Sequence, residues 1–170
     1  MTFTKLIATA ALAASATAIF HPVFAHGNTG STGHAGHASA AASPEQKDWG
    51  MGGNSQDAQR TITLNMTDDM RFTPSHFSVK QGETVRLRVV NQGQVMHEVV
   101  LGTKASLDQH AQMMLKYPGM EHAEPYMAHV ASGKSEDLVW NFNRPGKFDF
   151  ACLIAGHYQA GMTGTFTVTP

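Results

Sequence analysis

The chain of 170 residues has a single cysteine, Cys152, so no internal disulfide can form. Exported proteins that use cysteine for stability use it in pairs, which leaves this residue as a spare, an intermolecular link or a ligand. Charge is also scarce. Charged residues make up 15% of the chain and the formal net charge is −1. No cluster of Lys or Arg provides the footprint needed for nucleic acid or an anionic membrane surface. A long hydrophobic run is missing too: the stretch from Leu6 to Phe20 is too short and too rich in Ala and Thr for a spanning helix, so no membrane anchor is expected. Large apolar residues are nearly absent from residues 26–58, which are built of Gly, Ala, Ser, Thr, His and Asn. Such a segment cannot bury enough surface to offset its ordering entropy, and it reads as a flexible His-rich arm.

At the N-terminus, Lys5 is followed by the apolar run and then by Val23-Phe24-Ala25, a small-residue cleavage site. This is the pattern of a secretory signal peptide over residues 1–25, and it predicts export to the periplasm. The remainder is long enough for one domain with a core of its own, expected over residues 59–170. The chain has ten His and ten Met; removing Met1 and His21 with the leader leaves nine of each, more than a core of this size requires. Thioether and thiolate ligands select Cu(I), and imidazole accepts either oxidation state of copper. The composition therefore leans toward copper.

From Arg60 the texture changes to short alternating runs. Thr61 to Met66 alternates with period two, and Gly82 to Asn91 places Val85, Leu87 and Val89 inward with Arg86 and Arg88 outward. Met70 to Val79 reads as two strand pieces around Pro74. Val95 to Leu101 is a further strand. Thr103 or Ser106 can cap a helix running to about Lys116, which Tyr117-Pro118-Gly119 ends. Pro118 to Gly133 reads as an irregular excursion. Strands resume at Glu136–Asn143, Gly146–Cys152 and Thr163–Thr169, with Arg144-Pro145-Gly146 as a turn. Many short strands and one helix predict an all-β, antiparallel Greek-key β-sandwich with a disordered N-terminal arm.

Cys152, His157 and Met162 lie on the loop between the last two of these strands, at one pole of such a sandwich. Gly156 and Gly161 allow the backbone to turn back, so a thiolate, an imidazole and a thioether can converge. His97, near the start of its strand, supplies a second imidazole. Two His, one Cys and a weak axial Met are the ligands of a blue-copper site. Each residue alone has a plainer role: a lone Cys is most often a small buried hydrophobe, and His157 and Met162 could pack beneath the loop. Together they favour copper.

Phe150-Ala-Cys152-x4-His157-x4-Met162, preceded by Asn91-x5-His97, resembles the cupredoxins, the fold of plastocyanin, azurin and pseudoazurin, over about residues 60–170. The resemblance implies that His97 and His157 bind copper through imidazole, Cys152 through thiolate and Met162 as the long axial ligand. Small cupredoxins often have Asn after the first His, tying the two ligand loops together; here Glu98 stands in that place. The His-rich arm makes the chain more similar to the periplasmic copper-tolerance cupredoxins (CopI-type). Multicopper oxidases and copper nitrite reductases share the Cys-loop spacing or the fold but need His beside the Cys, where this chain has Ala151 and Leu153. An enzyme acting alone is therefore not expected.

Two segments could hold further copper. The arm carries His26, His34 and His37, and His26 becomes the N-terminal residue if cleavage follows Ala25. The stretch 110–129 carries His110, Met113, Met114, Met120, His122, Met127 and His129; on a helix His110 and Met114 share one face. The plainer alternatives are a polar linker with incidental His, and Met residues serving as core filler. The sequence thus predicts a type 1 copper protein that binds copper and transfers single electrons, serving copper tolerance. A dedicated shuttle between redox protein partners and a Cu(I) oxidase are the alternatives. His76, Trp140 and Phe142 read as structural, and Asp68-Asp69 as a turn.

Overall fold

The fold was derived from a computed structural model of the chain, which describes residues 44–120 and 122–170. The expected signal peptide and the arm residues His26, His34 and His37 lie outside the described residues. The described residues form eleven strands: β1 (Gln46–Lys47), β2 (Gly50–Gly52), β3 (Arg60–Thr67), β4 (Arg71–Thr73), β5 (His76–Lys80), β6 (Thr84–Asn91), β7 (His97–Gly102), β8 (Met127–Val130), β9 (Ser135–Asn141), β10 (Gly146–Ala151) and β11 (Thr163–Thr169). One α-helix, α1 (Lys104–Lys116), follows β7. Thr103 caps it in a reciprocal box with Ser106, each side chain satisfying the other's backbone N–H.

The strands form two sheets, ordered β1-β2-β9-β6-β3-β4 and β5-β11-β10-β7-β8. Most pairs are antiparallel, but β3 runs parallel to β6 and β5 parallel to β11, so the fully antiparallel expectation needs correcting. Period-two alternation shapes β6, where Val85, Leu87 and Val89 are fully buried while Arg86 and Arg88 are not. They meet Leu101, Phe150 and Phe166 of the facing sheet within one apolar cluster. A second layer lies behind β7 and β10. There Leu107, Ala111 and Met114 of α1 pack on Val100, Met127, Ala151 and Leu153. Covered on both faces, β7 is buried at every position, as a strand inside a layered sheet must be.

Three further expectations are corrected. Residues 44–58, assigned to the arm, form β1, β2 and a single 3-10 turn at Ser55–Asp57. Trp49 is buried and accepts at its carbonyl a hydrogen bond from Trp140 Nε1 (2.9 Å), so one large aromatic anchors a segment whose composition is otherwise that of a linker. The excursion after Pro118 contains β8, which pairs with β7 over four residues. Its run of Met, Ala, His and Val has too little alternation to announce a strand, and the open edge of β7 organises it. Met114 and Met127, counted as auxiliary ligands, are both buried in the layer under α1 and serve as packing there.

Candidate metal centre

The loop from β10 to β11 is closed by its own backbone. The N–H of Cys152 donates to the Met162 carbonyl (3.1 Å) and that of Met162 to the His157 carbonyl (3.1 Å). Gly156 and Gly161 take positive φ (93° and 88°), the left-handed region that glycine enters without steric cost. Met162 is completely buried at the end of this loop. The remaining residue arrives from β7. Asn91 brackets the turn before it, its Nδ2 donating to the carbonyls of Val95 (2.8 Å) and Val130 (2.9 Å) and its Oδ1 accepting from Gly93 N (2.8 Å).

His97, Cys152 and His157 are thereby brought together, with ligand atoms all within 4.8 Å of one another. The two imidazole centroids are 5.0 Å apart, and His157 Nδ1 lies 3.3 Å from Cys152 Sγ. His97 is 0% exposed, yet its Nδ1 has no hydrogen-bond partner. Its other nitrogen, Nε2, lies 3.1 Å from Asp68 Oδ1. With Nε2 carrying the proton toward Asp68, Nδ1 keeps its lone pair and faces the sulfur and the second imidazole. A buried histidine nitrogen without a partner is costly unless something occupies the place it faces, and a carboxylate behind the ring is how ligand histidines are oriented. The donor set of two imidazoles and a thiolate, with a buried thioether on the same loop, fits copper.

Asp68, read from the sequence as part of a turn, does lie in one, but it also holds the site. It accepts from the backbone N–H of Gln94 (2.7 Å) and Val95 (3.3 Å), and those bonds, ahead of His97, keep its carboxyl below the usual range. The signal for this role was absent, since 29 residues separate Asp68 from His97. Burial lowers the pKa of His157, reinforced by His97, so the imidazole is neutral and able to coordinate. Burial pushes the Cys152 thiol up to about 12, with the Glu98 N–H opposing it, so a cation entering here must displace the proton.

Glu98 occupies the position where small cupredoxins often have Asn, and it performs the same tie with different chemistry. Its backbone N–H donates to Cys152 Sγ (3.4 Å), and its Oε1 accepts from Leu153 N (2.7 Å), joining β7 to the ligand loop. The carboxylate is 1% exposed, and burial raises its pKa against the opposing charge of His129.

Of the auxiliary candidates, His110, His122 and His129 come together on the flank of this centre. Met113 is largely exposed, and Met120 is partly so. His76 bonds Thr165 Oγ1 (2.8 Å), so a side chain rather than the backbone satisfies it, and Trp140 and Phe142 are core residues. Among the described residues no helix is long and apolar enough to cross a membrane.

The sequence was compared with known proteins. The model for copper binding proteins of the plastocyanin/azurin family matches residues 58–169. The copper-resistant cuproprotein CopI of Rubrivivax gelatinosus is 49% identical over 120 residues, covering 71% of this chain and 73% of the relative. The protein of the same name from Pseudomonas aeruginosa is 34% identical over 161 residues, covering 77% and 88%. Among solved structures, auracyanin B superposes with a TM-score of 0.58 at 27% identity, over 71% of this chain and 96% of that one.

Proposed function

The chain belongs to the copper-binding plastocyanin/azurin family, and from that premise we propose that it is an exported type 1 copper protein of the periplasm that transfers single electrons in the service of copper tolerance. His97 and His157 would hold the ion through Nδ1, Cys152 through its thiolate and Met162 through its thioether. The observation that carries the reading is the buried, unpartnered Nδ1 of His97 facing Cys152 and His157.

Bound copper supplies a one-electron couple. The residues would contribute a donor set held in place by its surroundings. Asp68 fixes the His97 ring, Glu98 fixes the position of the Cys152 sulfur, and the backbone bonds from Cys152 to Met162 and from Met162 to His157 fix the loop. Such restraint limits rearrangement during electron transfer. His157 is only half-buried and gives an electron a short path to the surface. Exposed Val95 and Met96, which precede His97, offer an apolar rim for a redox protein partner. Ala151 and Leu153, which flank the cysteine, are buried and carry no metal-binding group. We therefore read the protein as a carrier, not an enzyme. Copper tolerance is the role in the names of the two relatives, and it accords with the abundance of His and Met.

Titration of the protein with Cu(II), followed by visible absorption, tests the reading. An intense band saturating at one equivalent and absent from Cys152→Ser would establish the thiolate–copper centre. No intense band at any loading would overturn it.

A further inference from the structure

Three histidines far apart in the sequence meet beside the first centre. His110 comes from α1, His122 from the α1–β8 connection and His129 from β8. The His110 and His122 ring centroids are 4.6 Å apart, and those of His122 and His129 are 6.0 Å apart. An ion about 2.0 Å from each nitrogen sits about 3 Å from each ring centroid, so imidazoles sharing it have centroids roughly 4.5–6 Å apart. The His97–His157 pair, at 5.0 Å, falls in the same interval.

The polar atoms of the cluster are unevenly satisfied. His122 Nδ1 faces the Met120 carbonyl at a long 3.4 Å, while its Nε2 is buried and has no hydrogen-bond partner. That is the tautomer in which Nε2 presents a lone pair to an ion. Glu98 Oε2 is buried and unpaired by hydrogen-bond geometry, although His129 Nε2 lies 2.8 Å away. Glu98 and His129 are direct cross-strand partners in the β7–β8 ladder. Desolvation, together with repulsion from His122 and His129, lowers the pKa of His110. Of these groups His122, His129 and Glu98 border a cavity of about 650 Å³, to which Met96 and Met120 also contribute. Thioethers on an imidazole site favour copper over harder cations.

We propose that His110, His122 and His129, with Oε2 of Glu98, form a second copper site beside the first. Its nitrogens do not yet converge as closely as the ligands of the first centre, which alone among the described residues draws its ligand atoms within 4.8 Å. His129, with 37% of its side chain exposed, has room to turn toward the other rings. The two sites then share one residue: Glu98 binds the Cys152 loop with Oε1 and faces the second site with Oε2. The identity of the ion rests on the copper-handling role proposed above, whereas the side-chain cluster does not.

The test is a Cu(II) titration of the whole protein beside His122→Ala and His110→Ala, read by visible absorption and by electron paramagnetic resonance. The intense band reports the first site. A further equivalent that adds no intense colour and shows nitrogen hyperfine splitting reports the second. Its affinity should fall by more than about tenfold in both variants while the intense band is unchanged. Binding of that equivalent equally tight in wild type and both variants would overturn the second site and leave the first standing. Loss of the weakly coloured equivalent in the variants, with no intense band in any of the proteins, would support the second site and sink the proposed function. Displacement of that equivalent by equimolar Zn(II) would overturn the assignment to copper.

Discussion

Replacing Glu98 separates the tie between ligand loops from the charge that makes it. In Glu98→Ala the Leu153 N–H, now bonded to Glu98 Oε1 at 2.7 Å, loses its acceptor in a place from which water is excluded. An orphaned buried N–H costs about 1–3 kcal/mol, and the space left by the side chain adds to that. The expected loss is about 2–4 kcal/mol, and at about 4 °C per kcal/mol for a domain of this size Tm falls by roughly 8–16 °C. Glu98→Gln keeps a carbonyl oxygen opposite Leu153 N, so its loss should stay within about 1 kcal/mol. Scanning calorimetry of the metal-free proteins reads both values. An alanine variant within about 1 kcal/mol of wild type would refute the idea that this bond ties the loops. A glutamine variant as damaged as alanine would show that the charge, not the acceptor, does the holding.

Asp68→Ala removes the group behind the His97 ring, and copper affinity should fall about ten- to a hundredfold while the intense band still forms at saturation; a competition titration with unchanged affinity would rule the role out. Gly164→Ala would place a Cβ 2.2 Å from Phe150 Cζ. Phe150 is hemmed in by Phe72 (ring centroids 5.0 Å) and Phe77 (5.6 Å), so the clash should cost about 1–3 kcal/mol, and an unchanged urea midpoint would contradict it. Arg88, then Arg86, hold the Asp137 carboxyl below its ordinary range. A depressed folded pKa contributes stability that is whole above the unfolded value, about 4, and is lost as pH falls through the folded value. Screening at this accessible site limits the term to about 1 kcal/mol, so wild type should lose about that much more than Asp137→Asn between about pH 5 and pH 2. Equal losses in urea midpoints measured across that range would count against the pairing.

Much of the sandwich was legible because its signals are local. The alternation of β6 and the Thr103 cap of α1 each depend on residues within one element, and both are present in the structure. The same holds for the ligand loop: Cys152, His157 and Met162 lie between two strands whose pairing closes the loop, so sequence spacing already placed them at one pole. The ordering of residues 44–58 was not legible, because it turns on Trp49 docking against Trp140, 91 residues away. β8 was missed because its order comes from the edge of β7 rather than from its own pattern.

By itself, then, the sequence determined the chemistry of the centre. Imidazole, thiolate and thioether donors favour copper through ligand softness, and softness is a property of residue type. Tertiary structure decided which nitrogen of His97 is free, because that depends on Asp68 arriving from the turn before β4. It also decided which methionines are spent on packing and which histidines are neighbours. Met114 and Met127 are buried where α1 lies on the sheet, and His110, His122 and His129 come together from three separate segments. Composition counts such residues, but only the order of strands in the sheets and the seat of the helix set the distances between them.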